Sequence, residues 1–255
     1  MLLLLGTPIN IAETPNLLVR LGDLFEVYWG PADSPRSCYT GPHGQKVIMV
    51  RLSSMEASSR ANVVDSGTLT LKSVDELQQR EKILNRKRQA IGSKKTYLLE
   101  RQLKDTTLFL RNNDLLVPIK GITRVIEVQD NMDASPVALV PCQHFLLLRK
   151  RLIHTQIFTP YLTMIAKLLL ERIGKERYKI KADEVEGRYG LFNTFTKKDI
   201  VSISFHIHAD YNTQKAVYES LTKLAKDIQP LYEVYESFRD ELFHKSMMGI
   251  NDFKI

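Results

Sequence analysis

The sequence predicts an α+β fold: an irregular, mostly antiparallel, β-rich domain over residues 1–208, followed by a long C-terminal coiled-coil helix over 209–255. Three observations lead there. Short β-rich runs follow one another without the regular helix alternation of a parallel α/β protein. Amphipathic helical stretches interrupt them near 74–91 and 160–173. From about Tyr211 to Met247, large apolar residues recur in alternating steps of four and three, at Val217, Leu221, Leu224, Ile228, Leu231, Tyr235, Phe238 and Leu242.

That heptad stripe is narrow. It is flanked by Lys215, Glu219, Lys223, Lys226, Asp227, Glu233, Glu236, Arg239 and Asp240, and it suits a partner helix better than the broad face of a core. Its eight apolar residues are the expected partner-helix interface. Pro230 removes a backbone hydrogen bond and is expected to kink the helix near Ile228–Gln229. The alternative is a kinked helix docked on its own domain.

The elements are expected in this order. Leu2–Leu5 is a buried first strand or an ordered tail, too short for a signal peptide or membrane span and followed by Pro8. The stretch from Pro15 to Tyr28 is a strand or short helix, and Gly30–Gly44 is dense enough in turn residues to be a long exposed loop. Lys46–Leu52 is a core strand and Gly67–Leu71 a half-exposed one. Val74–Ile91 is helical, with Ser73 as N-cap and Glu76 completing a capping box. Strands follow at Thr96–Leu99, Thr107–Leu110, Asp114–Ile119, Thr123–Val128, Val137–Val140 and His144–Leu148. Pro160 opens the helix to Ile173, Gly187–Phe195 is a loop, and Ile200–Ile207 is a strand.

Composition narrows the function. Hydrophobic and charged residues stand at 44% and 25%, as in an ordinary globular protein. Cys38 and Cys142 form neither a disulfide framework nor a metal motif, which points to a reducing cytoplasm. The net charge of +7 lies in the body and not in the nearly balanced heptad helix. Arg80–Lys104 holds nine basic residues against Glu81 and Glu100, and Arg149–Lys150–Arg151 follow a strand. No membrane contact is expected.

Catalytic sets are scarce. His206-x-His208 shares a strand face but lacks a third ligand. Asp114 with Glu127-x-Gln129 loosely matches the acidic pattern of metal-dependent nucleases, with glutamine where lysine is usual. Gly92-Ser93-Lys94-Lys95 lacks the upstream glycine of a P-loop, and no G-x-S-x-G elbow occurs. No catalytic residue, metal or cofactor is expected, which favours a binding protein.

Three stretches, in order, carry a resemblance. They are Asp114–Gly121 with Thr123–Val128; Cys142–Arg149 with Phe158-Thr-Pro-Tyr-Leu162; and Ile200–Phe205 with Thr213–Leu221 and Lys245–Gly249. Together they resemble the target-recognition domain and spacer helix of type I restriction-modification specificity subunits, over roughly residues 107–249. Phe205–Tyr211 replaces the family's proline-rich run, the basic segment 73–105 looks like an insertion, and the chain is about half a full subunit. The resemblance implies a non-catalytic subunit that recognises double-stranded DNA. It implies methyltransferase and restriction or translocase partners, and a homodimer or a second recognition subunit paired through the helix.

On that reading, Lys120, Gly121, Thr123 and Arg124 form one candidate DNA-contact set, the glycine letting backbone approach phosphates. The loop residues Arg36, Tyr39, Thr40, His43, Gln45 and Lys46 form a second, able to read base edges. Lys94, Lys95, Lys197 and Lys198 are candidate phosphate contacts. Two other classes compete. An assembly protein oligomerising through its helix would show no DNA preference, and a divergent nuclease would use Asp114 and Glu127 with Mg²⁺.

Overall fold

Leu115–Pro118 and Phe145–Leu148 are apolar at every position, the pattern of strands buried on both faces. They lie side by side in the central sheet of a computed structural model that describes residues 16–32, 37–51, 68–69, 71–91, 99–104, 106–119, 124–129, 136–152, 154–184, 195–228 and 230. In chain order the elements are β1 (Asn16–Arg20), α1 (Leu21–Leu24), β2 (Phe25–Trp29), β3 (Ser37–Thr40), β4 (Val47–Val50) and β5 (Thr68–Leu69). There follow α2 (Leu71–Ile91), β6 (Leu99–Gln102), β7 (Leu115–Pro118), β8 (Ile126–Val128), β9 (Ala138–Pro141) and β10 (Phe145–Lys150). The chain continues through α3 (Thr159–Glu184), α4 (Lys197–Ser202), β11 (Ser204–His208) and a helix over 211–228, α5.

The central sheet runs β2-β10-β7-β8-β5. Because side chains alternate across it, one face carries Phe25, Val27, Leu115, Val117, Leu146 and Leu148. That face packs against α1, α3, α4 and β11 through residues such as Leu24, Leu162, Leu170, Ile200 and Ile207. The opposite face carries Leu116, Ile126, Val128, Phe145 and Leu147, and meets β4, β9 and α2 through Ile48, Val50, Leu139, Val140, Val74 and Leu77. Each such side chain contributes about 1.5–3 kcal/mol when fully buried. The chain is α+β as expected. The described strand pairings are nevertheless mixed, four antiparallel and three parallel.

Several expectations are corrected. The loop expected over Gly30–Gly44 contains β3, which pairs in parallel with β6. Thr107–Leu110 is a turn: Phe109 N donates to Thr106 O, and its apolar residues pack without a ladder. The Ile200–Ile207 strand starts four residues late. Thr196 and Asp199 make a reciprocal capping box that nucleates α4 through Ser202, so the β-branched run divides between helix and strand. Ser73 lies inside α2, which begins at Leu71, and is not its cap. Gly22 of α1 sits so close to α4 that a Cβ there would meet Val201 at 2.8 Å, so the missing side chain lets α4 pack directly on α1.

Candidate nucleic-acid interface

A cleft of about 910 Å³ opens at one end of the central sheet. Four separated segments build it: Glu26 and Tyr28 of β2, the turn Thr107–Asp114, the chain from Arg149 to Pro160, and Tyr211 at the start of α5. Its cations are Arg111, Arg149, Lys150 and Arg151, against the carboxylates of Glu26 and Asp114.

The inner wall is locked. Asp114 is 1% exposed, and Arg149 grips it with Nε donating to Oδ1 at 2.9 Å and Nη2 to Oδ2 at 2.6 Å. The same guanidinium donates to Thr107 O at 2.8 Å and Phe109 O at 2.6 Å, while Arg111 N donates to Asp114 Oδ2 at 2.8 Å. Burial pushes the Asp114 carboxyl up, and the Arg149 pairing opposes it. Both carboxylate oxygens are thus occupied by protein donors, so Asp114 is a strut and not a free metal ligand, against the nuclease reading. Glu127 lies opposite Leu115 across the β7–β8 ladder. Burial raises its pKa against the pull of Lys167.

The rim is looser. Lys150 Nζ donates to Ile157 O at 2.7 Å and to Thr159 Oγ1 at 2.8 Å, and burial lowers its pKa. Arg151 reaches Gly22 O at 3.3 Å and Glu26 Oε1 at 3.7 Å. The Tyr28 hydroxyl donates to Glu26, which, with burial, raises its pKa. His154 Nε2 lies 2.7 Å from Asp23 O. Arg111 is exposed.

Beside the cleft stands the root of α5. Gln214 is buried; its Oε1 accepts from Phe158 N at 2.8 Å and its Nε2 donates to His208 O at 2.7 Å. Asp210 caps the helix by accepting from Thr213 N and Oγ1, which lowers its pKa. The Phe158 ring meets Tyr211 and Tyr218 edge-on, at centroid distances of 5.5 and 5.6 Å. Of the heptad stripe, Val217 packs on the core, whereas Leu221, Leu224 and Ile228 are 37%, 53% and 42% exposed. Leu231, Tyr235, Phe238 and Leu242 lie outside the described residues, as does Gln229 beside the expected kink.

The expected contact residues do not form one set. Arg124 is exposed at the β7–β8 turn, the opposite end of the sheet from the cleft, since Pro118 pairs with Phe145 while Asp114 meets Arg149. His43, Gln45 and Lys46 sit on a tight turn in which Gly41 N donates to Gln45 O at 2.8 Å. His43 and Gly44 there adopt φ of 55° and 76°; His43 and Lys46 are exposed and Gln45 is half-buried. Thr40 is half-buried. Tyr39 is a correction: it belongs to the core, and its hydroxyl donates to Ala32 O at 2.5 Å, so it cannot read a base edge. Lys197 and Lys198 are exposed on α4. Arg36, Lys94, Lys95, Lys120, Gly121 and Thr123 lie outside the described residues. His206 is exposed and His208 half-buried, and among the described residues no three His, Cys, Asp or Glu side chains are grouped to hold a metal. Sequence reasoning missed Tyr28, Arg111, Asn112, Asn113, His154 and Tyr211; the Arg149–Arg151 triplet was the local signal of the cleft they share.

No protein-family model matches this chain, and no curated protein matches it. Solved structures similar to it are specificity subunits and assemblies of type I restriction-modification systems. One comes from work on complex assembly and conformational transition of the type I R-M system, at 14% identity and a TM-score of 0.49, covering 93% of this chain and 45% of that one. Another is the HsdS subunit from Thermoanaerobacter tengcongensis, at 12% and 0.42, covering 89% and 42%. A third is the S subunit of a type I system from M. genitalium, at 11% and 0.38, covering 94% and 47%. The chain spans less than half the length of each. Among the described residues, no helix is long and apolar enough to cross a membrane.

Proposed function

We propose that this chain reads a specific double-stranded DNA sequence and directs methyltransferase, and restriction or translocase, subunits to it, without being an enzyme itself. One observation carries the reading: residues that give the sequence its resemblance to type I specificity subunits meet across the fold in two hydrogen-bonded sets. Asp114 of the first stretch is bound by Arg149 of the second. Phe158, which precedes α3, is held by Gln214 of the third, and Gln214 also holds the end of β11. Tyr161 accepts from His208 N at 3.3 Å in the same second set. Residues scattered over a hundred positions thus meet in these two sets, one bracing the end of the central sheet and the other fixing the root of α5. That is the arrangement a recognition domain on a spacer helix requires.

On this reading Arg124, His43, Gln45, Lys46, Lys197 and Lys198 contact DNA, with Arg36, Lys94, Lys95, Lys120 and Thr123 beyond the described residues. The stripe from Leu221 onward seats a second helix, in a homodimer or from another recognition subunit. The test is a selection of bound sequences from a random duplex pool, with light scattering in parallel. A dimer enriching a gapped palindrome is the expected result. A monomer enriching one half-site assigns the second helix to another protein. No sequence preference, even with methyltransferase subunits added, replaces this reading with that of an assembly protein.

A further inference from the structure

We infer that the cleft at the Lys150 end of the sheet binds a phosphate group through Arg111 and Lys150. In the DNA-reading role proposed above, on which this source rests, the group is a phosphodiester of the backbone. Both carboxylates of the cleft are already engaged, Asp114 by Arg149 and Glu26 by Tyr28 and Arg151. Arg111 and Lys150 make no ion pair among the described residues.

Lys150 is the more telling of the two. Its half-buried ammonium is held by two neutral oxygens, Ile157 O and Thr159 Oγ1, at the first turn of the 26-residue α3. A helix begins with partial positive charge, so a cation there is opposed by the dipole that would welcome an anion. Desolvation removes the water that would otherwise ease the conflict. A phosphate oxygen on the ammonium's third donor, beside the helix start, relieves both charges at once. Arg111, exposed across the cleft on the turn before β7, supplies a fork of donors suited to a second phosphate oxygen. The cleft is far larger than one phosphate and open, which fits a polymer backbone crossing it better than a small enclosed ion.

The experiment uses the full chain and Arg111→Gln, a rim substitution outside the two hydrogen-bonded sets, with Lys150→Gln as the second variant. Duplex binding is followed by anisotropy across a salt series, and inorganic phosphate is titrated by NMR. Arg111→Gln is expected to weaken duplex binding roughly tenfold, the worth of one charge-assisted contact, equally on selected and scrambled DNA. The slope of log affinity against log salt should fall by about 0.9. Lys150→Gln should do the same, and its melting curve shows whether the fold survives. If the wild type binds duplex while Arg111→Gln changes neither affinity nor slope, the cleft is not a phosphate site and the recognition reading stands untouched. If no duplex binds, even with methyltransferase subunits added, but inorganic phosphate binds in an Arg111-dependent way, the cleft takes a free phosphate and the recognition reading falls. Binding of neither overturns both.

Discussion

Arg149 and Arg111 line the same cleft in different surroundings. Arg149 directs its guanidinium inward, onto both oxygens of buried Asp114 and two backbone carbonyls. Arg111 leaves its side chain in solvent and contributes only its backbone N–H to the same carboxylate. The helix α5 repeats the contrast along its length: Gln214 and Val217 are tied into the body, whereas Leu221, Leu224 and Ile228 of the same stripe are open. Residue type does not separate the two groups. Whether the partners are already supplied from within the chain does, and it divides residues that hold the scaffold from residues left for something else.

Substitution should break this contrast most sharply at Asp114. Asp114→Ala strands a mostly buried guanidinium and should cost about 3–5 kcal/mol in urea unfolding, whereas Arg111→Ala should stay within about 0.5 kcal/mol. Equal effects would mean the wall and rim are not distinct. Gln214→Ala leaves Phe158 N and His208 O without their side-chain partner, for a loss of about 2 kcal/mol. Hydrogen exchange should then quicken at the root of α5 before it does in the central sheet. The smallest effect on stability belongs to the open stripe. Leu224→Glu should shift the unfolding midpoint by less than about 0.5 kcal/mol yet abolish any self-association seen by light scattering. A large loss of stability instead would show that the stripe belongs to the core of its own chain.

The same division explains what could be read from the sequence. β7 and β10 were legible because burial on both faces leaves an uninterrupted apolar run, and the start of α3 was legible from Pro160 and the amphipathic period behind it, though the helix runs on to Glu184, past the expected Ile173. Ile200–Phe205 misled because β-branched composition and a local cap compete there, and the Thr196–Asp199 box wins for one and a half turns. Phe109 and Leu110 look like strand residues yet serve as packing on a turn. Tyr39 looked like a loop side chain because its neighbours are turn formers, but its strand partner β6 lies some sixty residues away, beyond any local pattern. The cleft was hidden for the same reason: its four segments meet only after β2, β7, β10 and α5 have assembled.

The buried amide of Gln214 also sets a mechanical tolerance. At about 1.5 Å per residue the helix over 211–228 is about 27 Å long. A slack of about 10° at its root would sweep the far end through about 5 Å, more than the 3.4 Å or so between successive base pairs. In the DNA-reading role proposed above, a helix with that much play could not distinguish two registers of a target differing by one step. Two hydrogen bonds and a pair of edge-on rings at the hinge narrow the arc, so the accuracy of anything attached at the tip is decided at the other end of the rod.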